Sequence, residues 1–503
     1  MKKTKNLVDK TDKTSIFKFL KTGEPGLMAA LALIVGIMGG LGAVGFRYLI
    51  GFFQLLAYGS SGAILDVVKS VPWSLRIAIP ALGGLIIGPI VYFFAREAKG
   101  HGVPEVMESV AMQSGVIRKR IVAIKTLVSA ICIATGGSVG REGPIVQIGS
   151  AIGSFVGQAI KVSPDRMRTL VGCGAAAGIA ATFNAPIAGT MFTLEIVLGE
   201  FGVATFSPIV ISSVMATVIS RHFLGEDPAF IVPAYQLVSA WEFPLYLVLG
   251  LVCAFIGFLF IKGLYFTEDL FDDFKFPEYL KAGIGGVMFG CLGLAVPHIL
   301  GVGYGAIDLA LVQKLSWWLM LLLVLVKILA TSITIGSGCS GGIFAPSLFL
   351  GAMTGGAFGM MVNSLFPTVT ASPGAYAIVG MAAVVSATTH GSLTAILMLF
   401  EMTGEMAGTQ RHTPSPPLTD FHLSVFSRSI QKIAIDFHLV KSDMVIAKVY
   451  NISGREMVKL IDGNLGTGMQ RISWDTKNVA AGYYTLRMRV GSIFYVKSIL
   501  VSR

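Results

Sequence analysis

The sequence predicts an all-α polytopic membrane protein built from two repeats with broken helices, followed by a small C-terminal β-sandwich. Three observations carry that expectation. Of the 503 residues, 54% are hydrophobic and only 13% charged, where a soluble domain carries about 25% charged residues; the mean hydropathy is +0.74. Two distant stretches are versions of one another: GGSVGREGPIVQIGSAIG from Gly136 and GSGCSGGIFAPSLFLGAMTG from Gly336. Finally, the apolar character stops abruptly after Met406 and gives way to short alternating runs.

In the duplication, Gly140 and Pro144 fall on Gly342 and Pro346, an offset of 202. Further on, GAAAGIAATFNAPIAGTMFTLEI from Gly174 matches GMAAVVSATTHGSLTAILMLFEM from Gly380, an offset of 206 that sets Glu195 on Glu401. Duplicated hydrophobic segments interrupted by Gly and Pro point to a transporter-type fold whose site lies where the broken helices meet.

Along the chain, residues 1–23 hold seven lysines against two aspartates and read as a basic cytoplasmic N-terminus. No cleavable signal peptide is evident, because the apolar segment that follows is too long for one. The membrane domain spans residues 24–406, with repeats at about 24–224 and 243–406. Apolar stretches lie near 26–57, 75–95, 121–135, 168–198, 203–222, 243–264, 281–300, 316–335, 343–364 and 374–402. Several are too short or too long for a crossing of about 20 residues, which tilted and half-membrane helices would explain. The 60 glycines suit close helix packing. The net charge of +11 sits mostly at the termini and between apolar segments, so positive-inside bias accounts for it better than nucleic acid. The five cysteines have no metal spacing. A Pro-rich linker at 407–420 precedes the β-sandwich of 421–503. That tail contains FHLSVFS, KIAIDFHL, VIAKVYN, QRISWD, GYYTLRMRV and FYVKSILVS, with ISGRE and DGNLGTG read as turns.

Backbone amides can hold an anion inside a membrane without burying a full positive charge. A helix N-terminus offers unpaired N–H groups and the positive end of a dipole, glycine lets the backbone come close, and proline suits the first turn. Three segments fit: GHGVPE (Gly100, His101, Gly102, Pro104), GREGP (Gly140 to Pro144) and GIFAP (Gly342 to Pro346). The duplication implies that they converge.

Together with FNAPIAG from Phe183, KILATSITIGSGCSGGIFAPSLFLGA from Lys327 and FEMTGE from Phe400, these segments resemble the signature loops of the CLC family of chloride channels and chloride–proton exchangers. The resemblance covers roughly residues 20–406. It implies an inverted-repeat fold in the bacterial inner membrane, a homodimer with one pore per subunit, and chloride, with or without protons, as cargo, with no cofactor. Carried over by position, Glu142 is the gating glutamate. His101, Gly102, Gly143, Ile343 and Phe344 bind the ion, supported by Gly100, Pro104, Gly140, Arg141, Pro144, Gly342 and Pro346. The competing readings are a Glu142 paired with Arg141 at a helix end, and mere packing for the backbone positions.

The sequence departs from the family in three ways. His101 stands where many members carry serine; it would either donate N–H to the anion, adding pH dependence, or turn away to cap a helix. Ile196 stands where exchangers carry a proton-passing glutamate, which favours a passive channel, with a chloride/proton antiporter as the alternative; Glu195 beside it is read as a structural anchor. The family's last two helices, with their anion-lining tyrosine, have no counterpart after Met406. The tail instead resembles a type IX secretion sorting domain, through VYNISGREMVKLIDGNL and ISWDTKNVAAGYYTLRMRVG, and inverted topology would place it in the periplasm. A surface or secreted interaction protein defined by this tail, or a non-functional fusion, is the alternative from another class. No nucleophile elbow, phosphate loop or metal-spaced set suggests an enzyme.

Overall fold

The computed structural model describes residues 25–403 apart from 61, 63, 95–99, 227–228, 231, 233–237 and 368. Within 424–501 it describes all but 430–431, 440–441, 452–455, 478, 480–481 and 491–492. The basic segment 1–23, the linker 407–420 and the Gly404–Glu405 end of FEMTGE lie outside the described residues. The chain divides into two compact units, Met1–Ala407 and Gly408–Arg503.

The first unit contains sixteen α-helices among the described residues. In the first repeat these are α1 (Pro25–Tyr58), α2 (Ile64–Ser70), α3 (Trp73–Phe94), α4 (Val103–Met112), α5 (Lys119–Ala134), α6 (Glu142–Ile160), α7 (Pro164–Phe183), α8 (Pro186–Phe192, running into a π-helical turn over Thr193–Leu198) and α9 (Val203–Leu224). The second repeat supplies α10 (Glu242–Asp273), α11 (Glu278–Ala295), α12 (Tyr304–Leu311), α13 (Trp317–Gly336), α14 (Phe344–Leu365), α15 (Pro373–Thr389) and α16 (Ser392–Thr403). Six of them are long and apolar enough to cross a bilayer: α1, α3, α9, α10, α13 and α14. Leu247, Leu251, Phe255, Phe258 and Phe266 recur at helical spacing along α10 and are all more than half exposed. Water would not tolerate such a stripe; lipid does.

Between helices, glycine does the packing. A Cβ on Gly149 of α6 would collide with the carbonyl of Gly174 on α7, and one on Gly351 of α14 with the carbonyl of Gly380 on α15. These are the same contact in the two repeats. With no hydrophobic drive between helices in lipid, close backbone approach supplies the cohesion.

Two of the expected long spans are broken. The stretch 168–198 stops at Asn184 and 374–402 stops at His390, both left-handed with φ of 58° and 57°. The helices then restart at Pro186 and Ser392. The expected 281–300 span ends as a helix at Ala295, followed by a 3-10 turn at Pro297–Ile299. Conversely, α6 falls in an interval that apolar runs left empty. It carries Gln147, Ser150 and Ser154, which are buried against protein rather than lipid, so it needs no continuous apolar surface.

The second unit is a sandwich of two antiparallel sheets, with strand orders β1-β2-β5 and β4-β3-β6-β7. The strands are β1 (Ser424–Ser429), β2 (Lys432–Leu439), β3 (Asp443–Asn451), β4 (Glu456–Leu465), β5 (Gly468–Asp475), β6 (Gly482–Val490) and β7 (Ile493–Val501). Alternate residues turn inward: Ile433, Ile435 and Phe437 from one sheet meet Val445, Ala447, Val449, Leu486 and Met488 from the other. Trp474 stacks edge-on against Tyr484 with ring centroids 5.4 Å apart. DGNLGTG reads as a turn in the sequence, yet Asp462 to Leu465 belong to β4, held in register by Ile446, Val445, Met444 and Asp443 of β3. Pairing with β3 overrides the local turn preference of Asp-Gly-Asn.

Candidate anion site and gate

Helices α6 and α14 start head to head. Their preceding loops form a two-residue antiparallel bridge in which each glycine of the pair Gly140 and Gly342 donates its N–H to the other's carbonyl at 2.7 Å. The GHGVP loop joins them through a parallel bridge between Gly100 and Ser340. A Cβ on Gly143 would strike the carbonyl of His101, so only glycine permits this approach. The three Gly-rich segments thus meet, as the duplication led one to expect. Their helices start at Val103, Glu142 and Phe344 with Pro104, Pro144 and Pro346 in the first turn and with no side-chain cap.

At this junction lies a cavity of about 160 Å³. His101, Pro104, Glu142, Gly143, Gly342, Ile343 and Phe344 line it, together with Phe192, Ile196 and Thr388. Gly102 stands at its edge as the residue before α4, with φ of 92°. Ile196 places an apolar side chain on the wall, packed against Gly391. Glu195 points elsewhere, accepting hydrogen bonds from the N–H groups of Leu393 at 3.1 Å and Thr394 at 2.7 Å, and from the Thr394 hydroxyl at 2.7 Å. Its repeat mate Glu401 accepts from Ile187 at 3.1 Å and Ala188 at 2.6 Å. Each glutamate closes the N-terminus of the other repeat's short helix.

Glu142 is 1% exposed. Its Oε1 accepts a hydrogen bond from the Tyr304 hydroxyl at 2.9 Å, while Oε2 lies against Gly140 and Gly342. Oε2 is buried with no hydrogen-bond partner among the described residues. Arg141 turns its guanidinium to the face of the Tyr304 ring, 5.4 Å from the centroid.

Tyr304, Lys125 and Lys327 were missed by sequence reasoning. Lys125 of α5 donates to the Gly100 carbonyl at 2.9 Å and lies 3.6 Å from Glu105. Lys327 of α13 donates to the carbonyls of Ile299 and Gly301 at 2.9 and 3.0 Å. The two lysines are separated by the same 202 residues as the anion loops. The GVGYG segment before α12 is therefore the second repeat's version of GHGVP: Gly100 and Gly102 correspond to Gly301 and Gly303, all with positive φ. Its signal was present but faint, because it lacks the proline. Two hydroxyl pairs tie the repeats together in the same pattern, Ser129 with Ser340 at 2.9 Å and Ser138 with Thr331 at 3.2 Å.

Two inverted repeats that aim uncapped helix N-termini at one cavity define a membrane anion-transport protein. The profile of the voltage-gated chloride channel family matches residues 83–409, and the chain belongs to that family. A protein of Ralstonia nicotianae named for its likeness to the chloride channel ClcB is 36% identical over 380 residues, covering 75% of this chain and 89% of its own. The H(+)/Cl(-) exchange transporter ClcA of Vibrio parahaemolyticus is 34% identical over 414 residues, covering 79% and 87%. Among solved structures, a slow cyanobacterial Cl-/H+ antiporter superposes with a TM-score of 0.68 at 26% identity, over 75% of this chain and 89% of that one. A CLC-type fluoride/proton antiporter shares the fold at 22% identity and a TM-score of 0.65. Family, fold and apolar helices make this a multi-pass protein of the bacterial inner membrane.

Proposed function

We propose that the protein exchanges chloride for protons, with Glu142 serving as gate and proton carrier. The observation that carries this is the Glu142 carboxylate buried at the meeting of the Gly-rich loops, where helix N-termini face it. A carboxylate and a chloride ion compete there for the same donors. When ionised, Glu142 fills the anion position; when protonated, it loses its hold and can leave. Gly143, Ile343 and Phe344 offer backbone N–H groups to the ion, and His101 lines the cavity through which it passes. The 34% identical exchange transporter and the antiporter structure support exchange over the channel that Ile196 suggested. Passive conduction remains the second reading, since the cavity wall at Ile196 has no acid to pass protons inward. A homodimer is the proposed assembly. The β-sandwich of 424–501 is read as a sorting-type module in the periplasm, and its cleavage by external protease in cells with a permeabilised outer membrane but an intact inner membrane tests that placement.

The experiment is chloride efflux from liposomes holding the full chain, with simultaneous recording of external pH. Stoichiometric proton movement against the chloride flow supports exchange. Chloride flux without it would establish the channel reading instead.

A further inference from the structure

We propose that the Tyr304 hydroxyl is a latch that passes between gate and anion: it holds the Glu142 carboxylate in the closed pore, then donates to chloride when the carboxylate leaves. The inference rests on the reading of Glu142 as the gate. Three features position the hydroxyl. Gly303, at φ of 90°, starts α12 with Tyr304 as its first residue. The Tyr304 ring is clamped edge-on by Phe230, centroids 5.3 Å apart, and covered by the Arg141 guanidinium. From there the hydroxyl reaches Glu142 Oε1 at 2.9 Å. The ring cannot follow a departing carboxylate without abandoning both contacts.

A donor left facing an emptied anion position is costly to leave unpaired in this apolar setting. An anion that takes the place of Oε1 satisfies it at once. Arg141 ahead of α6 lies on the Tyr304 ring, Arg47 of α1 and Lys327 of α13 interact electrostatically with Tyr304 and Glu142 respectively, and His101 lines the same cavity as Glu142. Tyr304 adds a short-range neutral donor to that positive surround. Its repeat counterpart, Val103, has no donor and lines the cavity instead, so the latch belongs to one end of the pore only.

The test uses the full chain in detergent and in liposomes, with chloride as the probe. Tyr304→Phe keeps the ring and its clamp but removes the donor. In the wild-type background it should raise chloride efflux severalfold at neutral pH, because the gate is released more readily. In a Glu142→Ala background, where the anion position is already vacated, it should weaken chloride binding measured by calorimetry about tenfold. Tyr304→Met, which also lacks a donor, should give the same two shifts and serves if the phenylalanine variant fails to fold. An unchanged value in either arm overturns the hand-over. If Glu142→Ala alone leaves efflux and its pH dependence as in wild type, the gate reading has failed, a result separate from the two Tyr304 arms.

Discussion

A carboxylate buried in a membrane protein needs compensating partners; at Glu142 the Tyr304 hydroxyl donates to Oε1, while Oε2 lies among the Gly-rich loops with no hydrogen-bond partner among the described residues. Because chloride needs the same surroundings, one residue both blocks the path and reports on protons. Glu142→Gln, which keeps the volume and removes the charge, should leave chloride flux with little dependence on pH, whereas wild-type flux should rise as the medium is acidified; efflux traces at several pH values check both. The paired glutamates make a second expectation. Glu195→Ala and Glu401→Ala should each destabilise the protein by about 1–3 kcal/mol. Glu195 should cost more, because it also binds the Thr394 hydroxyl; thermal unfolding of the purified chain checks the order. Glu142 was legible from GREGP, since residue types there declare the chemistry. Tyr304 was not, since nothing in GVGYG announces a ligand until α12 carries it to Glu142.

Among elements, the broken helices owe their geometry to backbone rather than side chains. Hydropathy adds up side chains, so it joined α7 to α8 and α15 to α16 across left-handed breaks at Asn184 and His390. The duplication could have revealed them, for both breaks obey the 206-residue offset. The same logic hides β4, whose Asp-Gly-Asn looks like a turn until β3 pairs with it. Close helix approach is testable by adding one methyl group. Gly380→Ala, where a Cβ would strike the Gly351 carbonyl, should destabilise the second repeat by about 1–3 kcal/mol. Gly45→Ala in α1, where a Cβ meets nothing within 4 Å, should leave the melting temperature unchanged or raise it. Equal effects at the two sites would argue against the packing account.

At the level of the whole molecule, two inverted repeats are joined by hydrogen bonds that repeat under the duplication's offsets, among them the glycine–glycine pair, the two hydroxyl pairs and the exchanged Glu195 and Glu401 caps, with the cavity beside that seam. The class of protein was legible from composition and duplication, because lipid and symmetry leave marks that span hundreds of residues. Exchange against conduction was not, because it depends on how protons reach Glu142 past the apolar wall at Ile196. The most direct measurement is whether a chloride gradient alone drives protons uphill. Liposomes with the full chain, loaded with high chloride and placed at equal pH inside and out, are monitored with a pH electrode, and Glu142→Gln is run beside them. The account predicts proton uptake into the liposomes for the wild type as chloride leaves, and none for the variant. Chloride loss from the wild type without proton uptake would contradict it.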